Sequence, residues 1–107
     1  MKLVVSMAPP EEALALARKL VEEGLAACVN AIPGARSIYR WKGEICDEGE
    51  SLMLIKTTRE AAPALMARLE ELHSYEVPEV IAIDVGEGSE AYLAWLEENV
   101  RRDAGRS

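Results

Sequence analysis

The chain has no phenylalanine, no glutamine, one histidine and two cysteines among its 107 residues. Without Phe, the core has to be filled by Leu, Val, Ile and Ala with a few Tyr and Trp. Cys28 and Cys46 stand 18 positions apart and form no CxxC pair. With a single His they cannot make a Cys/His zinc cage within one chain. Long apolar runs are also missing. The opening "MKLVVSMAPPEE" offers about five apolar residues before Pro and Glu, too few for a signal peptide, and a membrane span needs roughly 20. The expected location is the cytoplasm, with reduced thiols and no membrane partner. Cations are in the minority, 12 Lys and Arg against 19 Asp and Glu, for a net charge of −7. That argues against a nucleic-acid partner, which needs cations facing phosphates. The excess of acid attracts cations from a distance without making a site for them. There is no GxSxG, HExxH or EF-hand loop, and "GEGS" at 86–89 lacks the GxxxxGK[ST] pattern, so no catalytic or phosphate-binding constellation is legible. Scarce amide side chains with abundant Ala, Glu, Leu and Arg suit a thermophile, although a GC-rich genome gives a similar composition.

What is present reads as a single domain over 1–107, half hydrophobic and 29% charged, as a folded soluble protein should be. "KLVVS" (2–6) reads as a buried strand. Pro10, Glu11 and Glu12 suit the start of a helix over 10–23, with Leu14, Ala17, Leu20 and Val21 as its apolar face and Gly24 as its stop. "LAACVNAI" (25–32) reads as a strand ended by "PG". "SIYRW" (37–41) alternates like a half-buried strand, turns at "KG" and returns through "EICDEGESLMLIKT" (44–57), acidic and exposed first, apolar later. Thr58 caps a helix over 59–72 with Leu65, Met66, Leu69 and Leu72 inward. "VIAIDV" (80–85) is a further strand. Ser89 caps a last helix over 90–100, with Tyr92, Leu93, Leu96 and Val100 on one stripe. The tail 101–107 reads as a frayed end.

The order βαββαβα predicts an α+β fold: a ferredoxin-like βαββαβ sandwich with an additional C-terminal helix. Two helices cover only one sheet face, and strands as apolar as "LVV", "LMLI" and "VIAI" should not face water. A homo-oligomer that buries the second face is therefore expected.

Four stretches in order, "LAACVN" (25–30), "SIYRWKGEI" (37–45), "LIKTT" (54–58) and "HSYEVPEV" (73–80), resemble the CutA family of divalent-cation tolerance proteins. "YLAWL" (92–96) fits the same pattern. The resemblance runs from residue 2 to about 100. It implies a homotrimer of ferredoxin-like subunits, similar in architecture to PII signalling proteins, with long hairpins closing the sheets around a threefold axis. It also implies tolerance of copper and other divalent cations, with no family-wide reaction. The family pattern has His-Pro-Tyr where this chain has His73, Ser74 and Tyr75, which suggests a less rigid loop.

His73 is a candidate metal ligand, since imidazole suits Cu and Zn. It also stands at a helix end, where it can serve the last carbonyls. Further soft ligands that metal-binding members supply nearby are absent, the positions reading Ser6, Met7 and Leu72. Asp84, alone on an apolar strand, is the second metal candidate. No cofactor is required, and any Cu or Zn site is expected to be weak. Lys56 ends an apolar run, where a charge needs a partner. Glu76 is the expected one, either as a structural pair across a subunit boundary or as part of a cation or anion subsite in an intersubunit cleft. Tyr39, Trp41 and Tyr75 would line the same intersubunit cleft. Cys28 reads as an inert core thiol and Cys46 as exposed and incidental. A PII-like module that binds a metabolite or a partner protein, and a purely structural trimer, remain alternative readings.

Overall fold

A computed structural model describes residues 1–104. The elements are β1 (Lys2–Ala8), α1 (Pro10–Glu22), β2 (Cys28–Trp41), β3 (Glu44–Thr57), α2 (Ala62–Leu72), β4 (Val80–Asp84) and α3 (Glu90–Glu98). The strands form one antiparallel sheet in the order β2-β3-β1-β4. This is the α+β, ferredoxin-like arrangement with one extra helix.

Local chemistry accounts for the boundaries. Pro10 opens α1, where its missing N–H costs nothing. Gly24 ends it with φ +73°, a conformation that suits residues without a Cβ. Lys42 and Gly43 both have positive φ, 49° and 81°, so the β2–β3 turn twists with its strands. The Thr58 hydroxyl accepts the Ala61 N–H at 3.1 Å but closes only a turn: α2 starts at Ala62, not at 59, without a side-chain cap and with Pro63 in its first turn. Ser89 caps α3 by accepting the Tyr92 N–H at 3.4 Å.

One sheet face carries the core. Val4, Met53 and Ile55 meet Leu20, Leu65 and Leu69, all fully buried. The register places Val4 opposite Ile55 and Ser6 opposite Met53, so alternate residues line the face beneath α1 and α2.

Several expectations need correction. The stretches 25–32 and 37–41 are not two strands, because β2 runs unbroken from Cys28 to Trp41. Pro33 and Gly34 sit in a register shift between Ile32 and Ala35. An edge strand tolerates the missing Pro donor at such a bulge. The buried face of α1 is Ala13, Leu16, Ala17 and Leu20, while Leu14 is 72% and Val21 43% exposed. The helix is apolar on more than one side, and small alanines let it sit close to the sheet. The last helix ends at Glu98 rather than at residue 100: on it Leu96 is buried and Tyr92 exposed, and Val100 is buried just beyond its end. The first four tail residues are not frayed: the Arg101 N–H donates to the Gly24 carbonyl at 2.8 Å, and Ala104 is buried. Residues 105–107 of that expectation lie outside the described residues.

The second sheet face stays open. Leu3, Val5, Met7, Leu52 and Leu54 are half-buried there, and Ile32, Ile81 and Ile83 are exposed. Tyr92 on α3 comes up to Cys28 at one end of this face; burial first, then the thiol, pushes its hydroxyl above the ordinary range. Beyond Ser51, which pairs with Ala8, β3 has only β2 as a neighbour. Residues 35–50 therefore form a two-stranded ribbon, which stretches the molecule to 43 Å. An isolated ribbon of this kind is marginal in water.

Candidate functional site

The loop after α2 folds back onto the end of β1 and the root of the ribbon. His73 terminates α2, its N–H donating to the Leu69 carbonyl at 3.0 Å. The Tyr75 N–H donates to His73 Nδ1 at 3.1 Å. Nδ1 is therefore an acceptor, and Nε2 carries the proton and donates to the Met7 carbonyl at 2.7 Å. Both ring nitrogens are engaged, and the side chain is buried. The ring also packs against Tyr75, with centroids 4.6 Å apart. Ser74 donates its hydroxyl to Glu12 at 2.7 Å, so the serine ties the loop to α1 through its side chain.

These contacts aim Tyr75 at the ribbon. Its hydroxyl donates to Glu50 Oε2 at 2.6 Å. Tyr39, opposite Cys46 in the register, brings its hydroxyl to Glu48. Partial desolvation, then Glu48, pushes that hydroxyl up to about 12. Tyr75 is pushed up as well, by burial first, then by Glu50, with Glu48 and Tyr39 contributing. Two phenols and two carboxylates thus share one cluster. Glu50 is only 5% exposed, and no ion pair reaches it among the described residues.

The other expected site residues are distributed. Trp41 sits at the ribbon tip beside the Lys42 ammonium, 5.8 Å from its ring. Glu76 is exposed in the loop. Lys56 lies on β3 six residues from Glu50, roughly 20 Å along the strand. Its ammonium donates to Asn30 Oδ1 and approaches Cys28 Sγ at 3.9 Å. Within one chain the expected Lys56–Glu76 pair is absent, because the loop and Lys56 occupy opposite ends of the sheet. Cys28 is half-buried on the open face rather than in the core, and Cys46 is half-buried as well. Asp84 pairs with Lys2 and, at 3.7 Å, with Arg59. Lys2 foremost holds its carboxyl below the usual range.

Glu50 is the residue that sequence reading passed over, grouped with the exposed acids of the hairpin. A signal existed: it is the last acid before the apolar run "SLMLI", where the chain enters the sheet.

The donors of one chain do not suit a tightly held metal. No group of three His, Cys, Asp or Glu side chains converges among the described residues. His73 would have to give up a hydrogen bond to coordinate, and Asp84 already faces two cations.

Comparison with known proteins agrees with this architecture. The family model described as CutA1 divalent ion tolerance protein matches residues 1–99. The divalent-cation tolerance protein CutA of Thermus thermophilus is 50% identical over 101 residues, covering 92% of this chain and 98% of its own. The human protein CutA is 48% identical over 83% of this chain, but the match spans only about half, 51%, of the human protein. The solved structure of the PII-like protein CutA from Nostoc, in apo form, superposes with a TM-score of 0.90 at 38% identity, covering 94% of this chain and 98% of its own.

Proposed function

The chain belongs to the CutA1 divalent ion tolerance family, and we propose that it acts in the response to divalent cations as a cytoplasmic homotrimer. The observation that carries this reading is the family match over residues 1–99. The open apolar face and the unsupported ribbon favour the trimer, since both need cover that one chain does not provide. In that assembly, Tyr39, Trp41, Lys56, Tyr75 and Glu76 line a cleft between subunits. Metal contact is weak and exchangeable, with Cu or Zn meeting His73, Asp84 or the acidic ribbon. Threefold symmetry multiplies such weak contacts. Calorimetric titration of Cu²⁺ and Zn²⁺ into wild type, His73→Ala and Asp84→Asn tests this. A weakened isotherm in either variant supports its residue, and identical isotherms in all three remove both from the metal reading.

A second reading is supported by the Tyr39–Glu48–Glu50–Tyr75 cluster. Phenols and carboxylates gathered beside an apolar face are the polar groups of a small-ligand or partner site. A PII-like module of this kind would show melting shifts across a metabolite panel and none with metals.

A further inference from the structure

Glu50 poses a physical problem within one chain. A carboxylate that is 95% removed from water is rarely left without a cation. Glu50 accepts one hydrogen bond, from Tyr75, and has no ion pair among the described residues. Its neighbour Glu48 deepens the negative potential, and the phenols of Tyr39 and Tyr75 supply protons but no charge. The seat is built for a cation.

Lys56 poses the complementary problem. It is half-buried at the far end of the same strand, and among the described residues its ammonium meets only the neutral Asn30 amide and the Cys28 thiol. Other cations are less suited. Arg36 is held by Asp47, Arg68 and Lys19 by Glu23, Lys2 and Arg59 by Asp84, and Arg101 by Asp103. Arg18 on α1, Arg40 and Lys42 at the ribbon tip and Arg102 after α3 are exposed. Residues 50, 52, 54 and 56 alternate onto one side of β3, so Glu50 and Lys56 bracket the apolar open face formed with Leu52 and Leu54. About 20 Å of strand separates them, too far for either to serve the other in the same chain.

We propose that Glu50 of one copy is the ion-pair partner of Lys56 from a second copy, across the open sheet face. This rests on the oligomeric reading above and names the contact that completes the cleft. Burial of the apolar row drives association, and the pair at its margin fixes the register between copies. A desolvated pair contributes through specificity: a slipped register leaves both charges buried and unpaired. Glu50, rather than the exposed Glu76, then answers the partner question that Lys56 raises, and Tyr75 positions the carboxylate.

Zero-length coupling with a water-soluble carbodiimide tests the pair in the unmodified protein. The reagent joins a carboxylate and an amine only where they touch: it activates the carboxylate as an O-acylisourea, the amine displaces it to form the amide, and the carbodiimide leaves as a urea, carrying the elements of water. Both residues fall on one tryptic segment, 43–59, once Lys56 is blocked to cleavage. A single Glu50–Lys56 link between copies therefore appears as segment 43–56 of the copy that gives the carboxylate joined to segment 43–59 of the copy that gives the amine. Mixing ¹⁴N- and ¹⁵N-labelled protein gives the hybrid mass. Glu50→Gln and Lys56→Met should each abolish the link and raise the dissociation constant of the assembly about tenfold or more. The double variant should lose much less than the sum of the two. A stable oligomer with no such link, or with strictly additive losses, overturns the pair while leaving the trimer intact. Sedimentation equilibrium showing a monomer overturns both.

Discussion

The Tyr75 hydroxyl lies 2.6 Å from Glu50 Oε2, bridging the loop after α2 to the root of the β2–β3 ribbon across 25 positions of sequence. Tyr75 is itself held by its N–H on His73, and His73 by the Met7 carbonyl. The chain β1–His73–Tyr75–Glu50 is therefore one connected polar path. Charge-assisted bonds to a buried acceptor are the expensive ones to lose. Tyr75→Phe removes the only side-chain donor on Glu50 among the described residues and should destabilise the fold by about 1–3 kcal/mol. Equilibrium unfolding in guanidinium measures this. A loss below a few tenths of a kcal/mol would mean that water takes the place of the phenol.

The phenols also set an alkaline limit. Tyr39 is raised to about 12 and Tyr75 is raised too. A phenol whose folded value lies above its unfolded value of about 10 stabilises the fold fully below pH 10. Between about 10 and 12 the unfolded chain sheds that proton while the folded one keeps it, so stability falls as pH rises. Absorbance titration at the phenolate band should show Tyr39 and Tyr75 ionising later than free tyrosine. Tyr39→Phe and Tyr75→Phe should each flatten the alkaline decline. If the decline is unchanged in both, another group sets the limit.

His73 is predicted to matter for the loop before it matters for metal. His73→Ala removes the acceptor of the Tyr75 N–H and the donor to the Met7 carbonyl. The expected loss is about 1–3 kcal/mol, together with faster amide exchange at Tyr75. Hydrogen exchange followed residue by residue reads it. An unchanged Tyr75 rate would show that the loop is held without the imidazole.

The strand and helix order was legible because periodicity and punctuation agreed along most of the chain. Ser89, Gly24 and the Lys42–Gly43 turn each carry their own chemistry, and each stands where that chemistry predicts. The face of α1 was harder, because Leu14 and Val21 are as apolar as Leu16 and Leu20 and the helical period alone does not rank two adjoining stripes. Pro33–Gly34 read as an ending because a bulge and a break use the same residues. The site was legible only in pieces. Tyr39 and Tyr75 were grouped in a cleft between subunits because aromatic residues suit interfaces and pockets; within one chain their hydroxyls stand near the same carboxylates. No spacing rule couples Glu50 to Tyr75, or Lys56 to Asn30, because both contacts arise from how distant segments meet. Partners in a second copy leave even less trace in one sequence.

The open face yields the last prediction. Ile81 and Ile83 lie on β4, 52% and 47% exposed, beside Leu3 and Val5 in the register. In an isolated subunit, replacing such an exposed Ile by Lys disturbs little, typically about 0.5 kcal/mol or less. At a buried interface the same substitution forces a charge into an apolar contact, at a cost of several kcal/mol. Ile81→Lys therefore separates the two situations without touching Glu50, Lys56 or the loop. The expected result is an assembly that dissociates at micromolar concentration while far-ultraviolet circular dichroism keeps the helix and strand content. Melting should move to lower temperature and, once the variant is dissociated, lose the dependence on concentration that the wild-type oligomer shows by mass action. An Ile81→Lys protein that sediments and melts like the wild type would mean that the apolar face is covered by something other than a second copy, or by nothing at all.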